Sequence, residues 1–144
     1  MKDQTSDDEL QAIRESVTKL CADFPGEYWR ELDRERGYPT AFVKALTDAG
    51  YLGCLIPEEY GGSGLPVRGG AVILETINAT GCSASPGHAQ MYTMGTILRH
   101  GSKEQKEYYL PKIASGELRL QAFGVTEPTT GSDTTQIKTR ADKQ

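Results

Sequence analysis

Apolar residues recur every third or fourth position along most of this chain, and turn residues cut the runs into short helices. The first run is Leu10, Ile13, Val17, Leu20, Cys21 and Phe24, closed by Pro25-Gly26. Ser6-Asp7-Asp8-Glu9 stands at its head and reads as a capping box. There a hydroxyl accepts from a first-turn amide and a carboxylate reaches back to the cap. Phe42, Val43, Leu46 and Ala49 form a second stripe, opened by Pro39 and closed by Gly50. Val67 to Thr80 predicts a third helix, with Ala71, Leu74 and Ile77 inward and Gly81 as its stop. After the loop around Ser85-Pro86-Gly87, a fourth helix carries Met91, Met94, Ile97 and Leu98 and ends at Gly101. Ser102-Lys103-Glu104-Gln105 is a second capping box, and the helix it opens holds Tyr108 and Leu110, meets Pro111 and closes at Gly116. Glu27 to Arg36 is a charged stretch whose only anchors are Tyr28, Trp29 and Leu32.

The texture changes past Gly116. Leu118 to Val125 partly alternates and predicts a strand, Thr126 to Asp133 is rich in turn residues, and Thr134 to Ala141 alternates again around Ile137. The expected architecture is mainly α: a helical domain over 1–117, then the first strands of a second unit over 118–144. A sheet begun so late has too few strands to close its own core. The expectation is therefore a chain that lacks the rest of that sheet.

Composition narrows the function classes. Sixteen basic residues against 20 acidic ones give a net charge of -4, with no Lys/Arg run. That is the wrong electrostatic footprint for nucleic acid or an anionic membrane. Cys21, Cys54 and Cys82 are odd in number and share no Cys-x-x-Cys spacing, which predicts reduced thiols in a cytoplasmic setting. The polar, acidic start is unlike a signal or transit peptide. The longest apolar stretch, Ala71-Val72-Ile73-Leu74, is too short to cross a bilayer. His88 and His100 have no second ligand at metal spacing, so no metal site is expected. His100 is placed at a helix C-terminus, where partial negative charge suits it. Glu58 and Glu59 read as a solvated loop, Met91 and Met94 as core, and Gly61-Gly62-Ser63-Gly64 as a turn without the lysine of a phosphate loop.

Chemistry concentrates in Phe123-Gly124-Val125-Thr126-Glu127-Pro128-Thr129-Thr130-Gly131-Ser132-Asp133. A strand end offers unpaired N–H groups, and a Gly-Ser turn can aim consecutive N–H groups at an anion. The same residues also suit a plain polar β-turn with no ligand. Composition leaves both readings open.

The segment resembles the signature of the acyl-CoA dehydrogenase family, Thr-Glu-Pro-x-x-Gly-Ser-Asp after an aromatic residue. Upstream, Gly50-Tyr51-Leu52-Gly53, Ile56-Pro57-Glu58-Glu59-Tyr60-Gly61-Gly62-Ser63-Gly64, His100 to Lys106 and Tyr109 to Glu117 resemble further family segments in the same order. The resemblance implies the N-terminal helical domain of that fold, followed by the start of a middle β-domain. It implies FAD as cofactor, with Val125 and Thr126 on the flavin pyrimidine edge and Gly131 and Ser132 near the pyrophosphate. Ser132 would also touch the CoA part of an acyl-CoA substrate, and Phe123 would lie near both flavin and thioester. Pro128 would shape the turn and Glu127 brace it. The implied reaction oxidises an acyl-CoA to the trans-2-enoyl-CoA, with electron-transfer flavoprotein as acceptor. Its catalytic base, a glutamate in most members, belongs to a C-terminal domain, so no catalytic residue is assigned here and this stretch alone is expected to be inactive. A tetramer or dimer is implied for the complete protein. A related acyl-CoA oxidase or flavin monooxygenase, or a helical scaffold module derived from the enzyme, would share these residues.

Overall fold

Two serines set helix starts through the bonds their spacing predicted. Ser6 Oγ accepts from the Glu9 amide at 3.2 Å while the Glu9 carboxylate takes the Ser6 amide at 2.7 Å. Ser102 and Gln105 repeat the exchange at 3.2 and 2.8 Å. The computed structural model describes residues 5–122 and 124–143. Its α-helices are α1 (Asp7–Cys21), α2 (Gly26–Glu35), α3 (Thr40–Asp48), α4 (Val67–Ala79), α5 (Ser85–His100) and α6 (Lys103–Ser115), with 3-10 turns at Tyr51–Gly53, Glu58–Tyr60 and Thr134–Gln136.

The core gathers one face of each of α1 and α3–α6 around the apolar link after α3. Phe42, Leu46, Leu52, Ile56, Ile73, Ile77, Met94, Leu110 and Ile113 are sealed from solvent. Burying side chains of this size supplies about 1.5–3 kcal/mol each. α1 and α4 pack along one another, with Arg14–Glu75 and Arg68–Asp7 ion pairs on the exposed seam at 2.6 and 2.9 Å. Such exposed pairs add little to stability.

Several sequence expectations change. The charged stretch is a helix, α2, giving six rather than five; it is held by an aromatic cluster. Trp29 meets Tyr28 and Phe42 edge to face with ring centroids 5.1 and 5.0 Å apart. Its indole N–H donates to the Phe24 carbonyl at 3.1 Å. In α4 the buried face is Gly69, Gly70, Val72, Ile73, Thr76 and Ile77, so Ala71 points outward. The stripe follows the branched residues Val72, Ile73, Thr76 and Ile77 at three- and four-residue spacing, and Ala71 falls beside it, not on it. α5 starts at Ser85, since Pro86 fits a first helical turn that lacks hydrogen-bonded amides anyway. Met91 and Met94 are core, and His100 closes α5.

No strand forms among the described residues; the sole pairing there is a bridge between Glu127 and Thr130. An alternating segment becomes a strand only against a neighbour, and 118–122 and 134–141 find none here. No described helix is long and apolar enough to cross a membrane.

Candidate functional site: the turn after α6

Four contacts deliver the segment after α6. The Leu118 amide donates to the Lys112 carbonyl at 3.0 Å. The Thr93 hydroxyl of α5 donates to the Leu120 carbonyl. Gln121 Nε2 donates to the Pro86 carbonyl at 3.1 Å, and the Tyr38 hydroxyl donates to Gln121 Oε1 at 2.6 Å. Leu118 and Leu120 pack on the core between these ties. The chain is thus tied along α5 as far as Ala122.

Beyond that point a small hook closes on itself. Glu127 and Thr130 exchange backbone bonds at 2.9 and 3.1 Å around Pro128 and Thr129. The Glu127 carboxylate then accepts from the amides of Lys138 and Thr139 at 3.0 and 2.7 Å, and from the Thr139 hydroxyl. Those donors, the Thr139 hydroxyl foremost, hold its carboxyl below the usual range. Asp133 caps the Thr134–Gln136 turn, accepting from the Thr135 amide at 3.2 Å. The Thr135 hydroxyl and the Gln136 amide group lower its pKa in the same way. Glu127 is therefore a brace, the role the resemblance implied.

The expected ligand residues lie on this hook in part. Val125 is half-buried, and Thr126, Gly131 and Ser132 are exposed. Thr126 and Gly131 face one another, since a Cβ on Gly131 would lie 4.0 Å from Thr126 Cγ2. Gly131 has no positive φ, so neither space nor backbone conformation demands a glycine there. Phe123 lies outside the described residues. Among the described residues, no hydrogen bond takes up the amides of Val125 and Thr126 or the hydroxyls of Thr126 and Ser132. Open donors at the end of an extended segment are the set that a flavin ring edge or a phosphate requires, so these residues fit FAD.

Where Leu120 and Ala122 lie along α5, they line a groove of about 510 Å³ together with Tyr92, Thr93, Thr96 and Ile97. The sequence reading placed only Ile97 of these α5 residues on a meaningful face. Tyr92, Thr93 and Thr96 carried the one available signal, a second, weaker stripe on the same helix. No group of His, Cys, Asp and Glu among the described residues could hold a metal. Every carboxylate with a resolved shift, namely Glu9, Glu27, Glu104, Glu127 and Asp133, is shifted down, toward the ionised form.

The described residues thus form a helical unit with an apolar groove along α5. Residues 7–117 match the family described as acyl-CoA dehydrogenase, N-terminal domain, and the chain belongs to that family. It is 33% identical over 141 residues to mitochondrial isovaleryl-CoA dehydrogenase of Pongo abelii, covering 95% of this chain and 33% of the relative. The fold superposes on the acyl-CoA dehydrogenase of Geobacillus kaustophilus with a TM-score of 0.78 at 26% identity, over 93% of this chain and 35% of the other. A Bacillus anthracis acyl-CoA dehydrogenase complexed with FAD matches at TM-score 0.62 and 31% identity, over 93% of this chain and 23% of the other. The chain thus spans about a third of the length of the isovaleryl-CoA dehydrogenase it matches.

Proposed function

We propose that residues 1–144 are the N-terminal part of an FAD-dependent acyl-CoA dehydrogenase that converts an acyl-CoA thioester to the trans-2-enoyl-CoA. The observation that carries this reading is the braced hook, whose donors at Val125, Thr126 and Ser132 are unpaired among the described residues. Bound FAD would supply the hydride acceptor. The chain's own part is to hold and orient: the Val125 and Thr126 amides and the Thr126 hydroxyl donate to the pyrimidine edge of the ring. N–H donors at that edge stabilise negative charge where it develops. Gly131 and Ser132 receive the pyrophosphate, Ser132 and Phe123 meet the substrate, and the groove shields an acyl chain from water.

The carboxylate that takes the α-proton is supplied from outside these residues. By the family resemblance that base belongs to a C-terminal domain, and both oxygens of Glu127, the carboxylate of the hook's turn, are already taken up by Lys138 and Thr139. Electron-transfer flavoprotein is the acceptor proposed on family grounds.

The test is FAD uptake by the product of the complete reading frame, followed by visible absorbance. Thr126→Ala and Ser132→Ala should each weaken FAD binding by roughly three- to tenfold, the worth of one hydrogen bond of ~0.7–1.4 kcal/mol. Saturated acyl-CoA should bleach the bound flavin. A complete protein that purifies colourless and takes up no FAD overturns the reading and leaves the helical scaffold in its place.

A further inference from the structure

Cys21 is the last residue of α1, and Cys82 follows the Gly81 turn that ends α4. Although 61 residues apart in sequence, they meet: the Cys82 thiol lies 3.8 Å from the Cys21 carbonyl oxygen. It lies 3.7 Å from the Phe24 carbonyl oxygen. Both are buried free thiols. Burial pushes the Cys21 thiol up to about 11; the Thr80 hydroxyl opposes that shift and the neighbouring Cys82 thiol adds to it. The two side chains therefore sense one another directly.

Access comes from a crevice of about 340 Å³ whose walls include Thr18, Cys21, Phe24, Trp29, Thr80 and Gly81. Gly81 has a φ of 85° and open space around its missing side chain, so the turn before Cys82 has room to adjust. Cys54 is the internal contrast. It is sealed in the core with no cysteine beside it in the hydrogen-bond network, and burial pushes its thiol up to about 12, whereas Cys21 borders the crevice and Cys82 stands behind it.

We propose that Cys21 and Cys82 form an oxidisable dithiol that closes to an intramolecular disulfide, tying the end of α1 to the connection between α4 and α5. The oxidant is a low-molecular-weight disulfide small enough for the crevice. The Cys21 thiolate, a minor form because burial pushes the thiol up, attacks it slowly, forms a mixed disulfide and releases one small thiolate. Cys82 then attacks the Cys21 sulfur, the protein S–S bond forms, and the second small thiol leaves. The two cysteines together give up two protons and two electrons, which the small disulfide takes up. The bond closes a long loop and so constrains the unfolded chain.

The experiment incubates the complete folded protein with 2-hydroxyethyl disulfide, then maps thiols after unfolding and digestion. A Cys21–Cys82 linked peptide is expected, with Cys54 still alkylated as a free thiol and a melting temperature raised by several degrees that dithiothreitol restores. Cys54→Ala should oxidise identically, while Cys82→Ala should stop at a mixed disulfide on Cys21. Recovery of Cys21 and Cys82 as free thiols, or as mixed disulfides only, in folded wild-type protein overturns the proposal. A linked peptide pairing either cysteine with Cys54 overturns it equally.

Discussion

Gly62 lies so close to Ile56 that a Cβ on it would stand 2.0 Å from the Ile56 carbonyl oxygen and 2.5 Å from the Ile56 Cβ. The Gly53 carbonyl oxygen, at 2.6 Å, closes the third side. Two of these neighbours are backbone oxygens, which a rotamer change cannot clear. Gly62→Ala should therefore destabilise the fold by at least about 3 kcal/mol, at the upper end of overpacking costs. Chemical denaturation would read this as a large drop in midpoint; a loss under about 1 kcal/mol would contradict the packing.

Gly95 is the opposite case. It sits inside α5 with nothing within 4 Å of a built Cβ and no positive φ. Gly95→Ala should stabilise the protein by about 1 kcal/mol through helix propensity alone. A thermal melt shifted upward by a few degrees is the expected result.

Phe42 is sealed from solvent and holds the rings of Phe24 and Trp29 at centroid distances of 5.0 Å. Phe42→Ala should cost about 3–5 kcal/mol. Trp29 is the one tryptophan in the sequence, so its emission reports this cluster alone. A red shift in the still-folded variant is expected, because α2 loses the ring on which it rests.

That dependence explains what the sequence did and did not disclose. The capping boxes at Ser6 and Ser102 and the glycine stops at Gly50, Gly81 and Gly116 depend on residues within a turn of one another, and local patterning is enough to find them. α2 has no buried residue of its own; Tyr28 and Trp29 reach a cluster completed by Phe24 and Phe42, which lie outside the helix, while Leu32 is half-buried and outside that cluster. The alternation of 118–122 gives no strand among the described residues for a related reason, since a strand exists only with a partner. Ligand roles at Val125, Thr126 and Ser132 came from the resemblance, and the structure adds that these donors are unspent. The groove residues Thr93 and Thr96 were hidden because threonine on a helix face reads as surface.

Glu127 has a folded-state pKa below its ordinary value, owing first to the Thr139 hydroxyl and then to the Lys138 and Thr139 amides. The tie is therefore present in full above the ordinary carboxylate range and is lost as pH falls through the folded-state value. Amide hydrogen exchange at Lys138 and Thr139 should accelerate, relative to the core helices, as pH is taken below the ordinary carboxylate range. Glu127→Gln should show the faster exchange already at neutral pH and flatten its pH dependence. Unchanged protection in that variant would mean that the carboxylate does not hold the hook.

The same carboxylate bears on how any companion is received. Residues 131–143 are exposed throughout, a stretch that would ordinarily wander among many conformations. Glu127 instead clasps positions 138 and 139 and fixes the outline of the loop between them. Under the proposed function, a cofactor arriving at Thr126 or Ser132 would find the receptacle already set, and less of its binding energy would be consumed in ordering the chain.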